Sequence, residues 1–292
     1  MKIMPRRSGK SEFLAVYKKV FDEARLVHKR DLSRLYNLRC SQLPYCPRSV
    51  IADFGLSGKF HTMDMAGAYY TSVGTTVHTV MQTYLATSGQ FLADYSCKIC
   101  KASYPLSHVH ECCNVPTIYE EVTIDVGTKK RNGLKVGGIQ GHIDGIFKDS
   151  QGHYWIVDFK TTTLMGAPSK ERSPGEGYVR QIRAYAVLLK HQYGIRVKGV
   201  MLVFIPRDNP SPNRIAIWEE VITDRDFKQG KLELKADKKL HKKTMVASSV
   251  EEVMELAETK CGSPFCNYCK MTKSVFRNLI KPIVKKLPIM KD

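Results

Sequence analysis

The chain has 292 residues, 43% of them hydrophobic and 25% charged, and a formal net charge of +18 from 46 Lys and Arg against 28 Asp and Glu. This composition belongs to a globular chain long enough to bury a core, and it excludes wholesale disorder. No run approaches the ~18 apolar residues of a membrane span, and the basic start at residues 1–10 leads into no apolar stretch, so neither membrane insertion nor secretion is expected.

In chain order, residues 11–39 place apolar side chains at helical steps, Leu14, Tyr17, Val20 and Phe21 followed by Leu32, Leu35 and Leu38, and predict a charged amphipathic helix. Cys46-Pro47-Arg48 stops that pattern or starts a new one, since Pro suits a first helical turn. The stripe Val73, Val77, Val80, Met81 and Tyr84 predicts a helix over 73–86. Residues 96–116 differ in kind: four Cys, two His and two Pro with no apolar period describe an inserted, metal-held loop. Strands are predicted over 117–126, 138–147 and 153–161, the last two separated by Lys-Asp-Ser-Gln-Gly, a hairpin-turn composition. Residues 164–177, rich in Gly, Pro, Ser and charge, read as a mobile loop. A helix over 178–193 follows, with Tyr178, Ile182, Tyr185, Ala186 and Leu189 on one face, then strands at 197–205 and 214–222, then helix over 224–258. The order over 73–205 implies an α/β layer with a mixed sheet. The expected divisions are an N-terminal helical region (1–72), a core (73–222) and a basic, cysteine-ended C-terminal region (223–292).

The sharpest chemistry lies in Gly-His-Ile-Asp-Gly-Ile (141–146) and Trp-Ile-Val-Asp-Phe-Lys-Thr-Thr-Thr (155–163). Asp158 and Lys160 are two apart on a predicted strand and therefore share a face. Both interrupt an apolar run, where charges are costly unless they have a task. Asp144, on the partner strand of the hairpin, would lie beside Asp158. Two carboxylates can hold Mg²⁺ or Mn²⁺, hard cations that prefer oxygen ligands. Such a cation polarises a phosphate and activates water, while a lysine orients that water or stabilises developing charge. The same residues would also fit an exposed hairpin edge with ordinary surface charges.

Asp144 together with Asp158-Phe-Lys160 resembles the signature of the PD-(D/E)xK nucleases, in their RecB-type branch. Gly74-Thr-Thr-Val-His78 is similar to that branch's helical Gly-x-x-x-His motif, which implies a metal-site role for His78. Gln181-Ile-Arg-Ala-Tyr185 is similar to its Gln-x-x-x-Tyr motif; Gln181 and Tyr185 share a helix face and would touch DNA or the active site. Glu120 or Glu121 stands where the family has a further acidic residue, Glu121 being the one carried into the expected site. Ile143 replaces the name-giving proline, which this branch often lacks. The resemblance covers roughly residues 74–205 and implies a restriction-endonuclease-like α-β-β-β-α-β core.

The nine cysteines are clustered, and without a secretion signal they imply a reducing compartment, the cytoplasm of a bacterial, archaeal or phage-infected cell. Cys97, Cys100, Cys112 and Cys113, with His108 and His110 between, have zinc spacing; Cys97 and Cys100 pair with two of the others, Cys112 with Cys113 or His110 being the best sets. Cys46, Cys261, Cys266 and Cys269 resemble the split ligand set of the iron–sulfur nucleases, the CRISPR-associated and AddB-type exonucleases. That resemblance implies a [4Fe–4S] cluster tying the domain's ends together, with a zinc site of the same four ligands as the alternative. In that family the longer gap in the tail usually comes second, whereas here it comes first. Cys40 is left as an inert thiol.

The charge surplus fits a polyanionic partner, and with no amphipathic anchor nucleic acid is expected. Lysines dense over 228–243 and the basic stretch 273–286 would form a phosphate-tracking surface. The expected activity is that of an Mg²⁺- or Mn²⁺-dependent exonuclease on single-stranded DNA or DNA ends, in recombination, repair or replication, in a phage or CRISPR-linked setting. A structure-specific endonuclease and a non-catalytic DNA-binding module remain the alternatives.

Overall fold

The computed structural model describes residues 25–29, 37–49, 51, 60–108, 111–131, 134–209, 211–247, 249–258 and 267–284. Strands β1 (Arg25–Lys29), β2 (Leu38–Arg39) and β3 (Phe60–Asp64) precede the long helix α1 (Met65–Ala86). Next come β4 (Phe91–Ser96), β5 (Ser103–Ser107), β6 (Glu111–Cys112), β7 (Val115–Pro116), β8 (Ile118–Glu120) and β9 (Val122–Val126). The small hairpin β10 (Lys129–Arg131) and β11 (Leu134–Val136) leads to β12 (Ile139–Ile143), β13 (Gly145–Lys148) and β14 (Tyr154–Thr162). Helices α2 (Ala167–Arg172) and α3 (Glu176–Tyr193) precede β15 (Gly199–Pro206) and β16 (Ala216–Val221). The chain then runs through α4 (Asp224–Val246), α5 (Val250–Ala257), α6 (Asn267–Lys270) and α7 (Lys273–Val284).

The main sheet is mixed, in the order β16-β15-β14-β13-β4, with β5 and β8 both pairing with β4. Its strands β14 and β15 are parallel, and β15 reads as nearly continuous apolar sequence because both faces are covered. On one face Val157, Phe159, Val203 and Ile205 meet Val77, Met81 and Leu85 of α1. On the other, Ile156, Val200, Leu202 and Phe204 join the larger core with Ile182, Tyr185, Ala186 and Leu189 of α3. A second, three-stranded sheet has the order β2-β12-β9. The α1, β9, β12–β13, β14, α3, β15 order is the α-β-β-β-α-β core inferred from the sequence.

Local chemistry sets the element ends. Helix α3 stops at Gly194, whose φ of 73° is the left-handed conformation glycine adopts freely. Helix α4 starts at a capping box in which Thr223 accepts from Asp226 N–H and the Asp226 carboxylate accepts from Thr223 N–H.

Three expectations are corrected. Residues 25–29 and 38–39, read as parts of one helix, are strands: β1 pairs with β3, and β2 runs parallel to β12 with Leu38 fully buried beside Ile139. Pairing with a buried partner outweighs a three-residue apolar step, which fits either element; residues 11–24 and 30–36 lie outside the described residues. The expected loop over 164–177 contains α2, started by Gly166 and a proline in its first turn. The helix expected over 224–258 breaks after Val246, and Ser249 caps α5 by accepting from Glu252 N–H.

Gly141, in the middle of β12, packs under the ring of Tyr185: an added Cβ would sit 2.6 Å from Tyr185 Cε1 and 3.1 Å from Cys40 Sγ. Gly141→Ala is therefore expected to destabilise the protein by about 1–3 kcal/mol through overpacking, read as a lower midpoint in chemical denaturation.

Candidate active site

Two of the predicted strands break at acidic residues. Strand 117–126 divides into β8 and β9 at Glu121, and strand 138–147 divides into β12 and β13 at Asp144. Strand β12 belongs to the small sheet and β13 to the large one, so Asp144 occupies the corner where the chain changes sheets. On β13 the next residue, Gly145, pairs with Val157, bringing Asp144 alongside Asp158.

Helix α1 delivers His78, whose Nδ1 lies 3.4 Å from Asp144 Oδ2. His78, Glu121 and Asp144 each offer a ligand atom within 4.8 Å of the others. Asp144 is anchored by Phe159 N–H, which donates to its Oδ2 at 2.7 Å. Asp158, 2% exposed, receives no well-aligned hydrogen bond at its buried Oδ2 among the described residues; the Lys160 ammonium lies 2.5 Å away. Lys160 also lies 5.3 Å from the centre of the Tyr178 ring on α3.

The electrostatics of these groups call for a cation. Burial, then the nearby Asp158, push the Asp144 carboxyl well above its ordinary range. Burial raises Asp158 as well, against the pull of Lys160. Burial opposes the charge on Lys160, yet Asp158 and Asp144 together hold its ammonium above the ordinary lysine value. Burial and the charge of Lys160 lower His78, which keeps its imidazole neutral and able to act as a ligand. One imidazole nitrogen with carboxylate oxygens fits a divalent cation, and added positive charge would relieve the cost of the buried acids.

Of the residues expected from sequence, His78, Glu121, Asp144, Asp158 and Lys160 converge. Asp158 stands outside the compact His78–Glu121–Asp144 group, its carboxylate turned to Lys160. Glu120 is turned away, accepting from Ser96 Oγ at 2.7 Å. On α3, Gln181 Nε2 donates to Tyr185 Oη at 3.0 Å, and Tyr185 is 3% exposed, packed in the core beside Gly141. Sequence reasoning missed Gln82 and Tyr119. Gln82, one turn beyond His78, places its Nε2 3.4 Å from both Glu121 Oε1 and the Asp144 carbonyl. Tyr119 Oη donates to the same carbonyl. The i, i+4 spacing from His78 was the available signal for Gln82.

Residues 58–274 match the model of the PD-(D/E)XK nuclease superfamily. The chain belongs to this superfamily. As a PD-(D/E)XK nuclease it is a metal-dependent deoxyribonuclease. No curated protein matches it. Among solved structures it is similar to SSO0001, with 15% identity over 90% of this chain and 98% of that one and a TM-score of 0.39. It is also similar to LHK-Exo in complex with dAMP, with 12% identity over 77% of this chain and 94% of that one and a TM-score of 0.39. The alkaline exonuclease LHK-Exo from Laribacter hongkongensis, in a second structure, gives 12% identity over 82% and 96% and a TM-score of 0.35.

Two cysteine groups accompany the nuclease core. In the 96–116 insertion, Cys97, Cys100, Cys112 and Cys113 bring all four sulfurs within 4.8 Å of one another. Cys100 and Cys112 sulfurs are 3.5 Å apart and those of Cys112 and Cys113 3.8 Å. Backbone N–H groups of Cys100 and Ile99 lower the Cys97 thiol to about 6, while hydrogen bonding with Cys100 and Cys112 pushes Cys113 up to about 12. His108 faces elsewhere, its Nδ1 2.9 Å from the Phe91 carbonyl, and His110 lies outside the described residues. In the second group, Cys46 Sγ lies 3.5 Å from Cys269 Sγ, 223 positions on; Cys261 and Cys266 lie outside the described residues. Arg48 reinforces this join, donating to the Met271 carbonyl at 3.0 Å and lying over the Phe276 ring. Cys40 is fully buried, and burial raises its thiol to about 12, in keeping with an inert side chain.

Proposed function

We propose that the protein is an exonuclease acting on single-stranded DNA or DNA ends in recombination, repair or replication, using Mg²⁺ or Mn²⁺. The supporting observation is the convergence of His78, Glu121 and Asp144 beside the buried Asp158–Lys160 pair. Asp144, Asp158, His78 and Glu121 are the residues to hold the cation, which when bound polarises the scissile phosphate and lowers the pKa of an attacking water. Lys160, charged and pre-positioned by Asp158, orients that water and stabilises charge developing on the phosphate. Phe159 N–H, Tyr119 and Gln82 fix the Asp144 backbone and carboxylate, so that the site is organised before substrate arrives. Gln181 and Tyr185 extend the site along α3. The choice of ends follows the resemblance to RecB-type, iron–sulfur-stapled exonucleases.

The insertion's four cysteines are proposed to bind zinc. Thiolates ~2.3 Å from a tetrahedral zinc lie ~3.8 Å from one another, and the sulfur separations of 3.5 and 3.8 Å match. The [4Fe–4S] cluster, completed by Cys261 and Cys266, is carried over from the resemblance; the Cys46–Cys269 contact supports a shared metal site at the join of the chain's ends. No disulfide joins any of the seven described cysteines, which suits a reducing cytoplasm. No helix among the described residues is long and apolar enough to cross a membrane.

The test is cleavage of linear single-stranded, linear duplex and circular DNA with Mg²⁺ or Mn²⁺. Degradation of linear substrates with circles left intact is expected; cutting of circles would replace the exonuclease reading with an endonuclease one.

Asp144→Asn adds a pH prediction. A carboxyl raised in the folded state keeps its proton where the unfolded chain has lost it, so ionising it in the fold costs stability as pH rises. In the metal-free protein, Asp144→Asn should therefore raise the melting temperature at neutral pH, with the gain vanishing below the ordinary carboxylate range, while cleavage is lost. Melts across pH in chelator check this; a variant less stable than wild type at neutral pH would contradict the assignment.

A further inference from the structure

A groove of about 570 Å³ lies between α3 and α4, outside the catalytic cluster. Ile139, one of its lining residues, opens β12, whereas Asp144 follows the other end of that strand. The floor is aliphatic, formed by Ile139, Val187, Leu188 and Leu234 with Phe227 beside them. The rim is formed by Lys190, Lys228, Lys231, Lys235 and Lys238 with His191, and no acidic residue lines it.

Helix α4 sorts its charges by face. Of its four acids, Asp226 caps the helix and Asp224 pairs with Arg196 at 2.7 Å, while Glu233 and Asp237 turn to Arg180, at 3.6 and 2.6 Å. Its lysines at 228, 231, 235 and 238 have no carboxylate partner among the described residues. Four uncompensated ammonium groups along one face repel one another, at a cost that an anionic occupant would remove. The sequence alone places these lysines on a DNA track, but the groove's floor points elsewhere. Unstacked bases bind on exposed aromatic faces. Phe227 is 8% exposed, with Lys190 4.9 Å and Arg196 5.6 Å from its ring centre. An aliphatic floor instead accepts aliphatic and aromatic side chains. The chain's own ends have the wrong sign: residues 1–24 hold six Lys and Arg against three Asp and Glu, and residues 285–292 three against one.

We propose that the α3–α4 groove is a docking site for an acidic peptide segment of a partner protein, its apolar side chains on the aliphatic floor and its carboxylates on the lysine rim. Such a contact would bring the nuclease to a protein already on DNA without engaging the catalytic carboxylates.

The test is fluorescence anisotropy of the full chain with a labelled peptide of glutamates interspersed with phenylalanine and leucine. Saturable binding is expected, weakened by about tenfold or more when the apolar residues become serine. Val187→Asp should weaken it to a similar degree and leave metal-dependent cleavage of a short single strand unchanged. Lys231→Glu combined with Lys235→Glu, both exposed, should abolish it and keeps the test valid if Val187→Asp does not fold. Equal binding of the serine peptide would overturn the proposal. So would displacement of the peptide by oligothymidylate with both ligands lost together in the double variant, which would return the groove to the DNA track. Loss of nuclease activity in the wild-type protein would bear on the function above and leave this result standing.

Discussion

Lys160→Ala is expected to lower the cleavage rate by roughly 10²–10³-fold, the scale for removing one pre-positioned stabiliser of transition-state charge. DNA affinity should stay nearly constant, because one side chain among 46 Lys and Arg carries little of the binding. The separation follows from geometry. The ammonium is held 2.5 Å from Asp158 and faces Tyr178, where it would act on the reacting phosphate more than on a phosphate track. Lys160→Arg should rescue little, because a planar fork does not replace a compact ammonium in a site this buried. Single-turnover cleavage, alongside anisotropy with a non-cleavable strand, reads both quantities. Undiminished cleavage by Lys160→Ala would remove the lysine from the mechanism.

The second large effect concerns the cysteines, which are expected to serve two metals in two places. Anaerobically purified protein should be brown, absorb near ~400 nm and carry iron and zinc together. Cys97→Ala should lose zinc and keep the colour. Zinc binding in small Cys-rich modules supplies about 10–16 kcal/mol of folding free energy, so the 96–116 insertion should lose its structure. The damage should reach β9: Asp94, on β4, accepts from Leu106 N–H in the insertion at 2.8 Å and from Thr123 N–H at 3.2 Å, two residues beyond Glu121. Cys269→Ala or Cys266→Ala should lose iron and colour, keep zinc and lower the melting temperature, because the Cys46–Cys269 contact closes a loop of more than two hundred residues. Elemental analysis of wild type and variants decides this. Colourless protein holding only zinc would leave two zinc sites and no iron–sulfur cluster.

Most of the core was legible because its signals are local. Apolar stripes place α1 and α3, and β14 shows itself by two charges two residues apart in an apolar run. What stayed hidden depends on distant partners. The residues at 38–39 become a strand only because β12 lies beside them, and their three-residue apolar step fits a helix equally well. The sequence offered Glu120 or Glu121 for one place and Glu121 was carried forward; the break between β8 and β9 turns Glu121 toward His78 and Asp144 and Glu120 to Ser96. The i, i+4 signal for Gln82 was weak, because a polar residue on a half-exposed helix has an ordinary explanation, and the position of the Asp144 carbonyl gives it another. In the cysteine insertion, spacing identified the loop but left its ligands open. Folding turned His108 onto the Phe91 carbonyl and gathered four sulfurs instead.

The corner at Asp144 bears on when this enzyme becomes active. Its carboxylate is aimed only after β12 has joined the small sheet and β13 the large one, and after Phe159 N–H has arrived from β14. His78 and Glu121 come from two further parts of the chain. A chain that has formed only local helices and hairpins therefore has no assembled centre, because His78 and Glu121 must be brought to Asp144 from elsewhere in the sequence. Activity is thus expected to depend on the two sheets being joined at Asp144, the corner that aims its carboxylate.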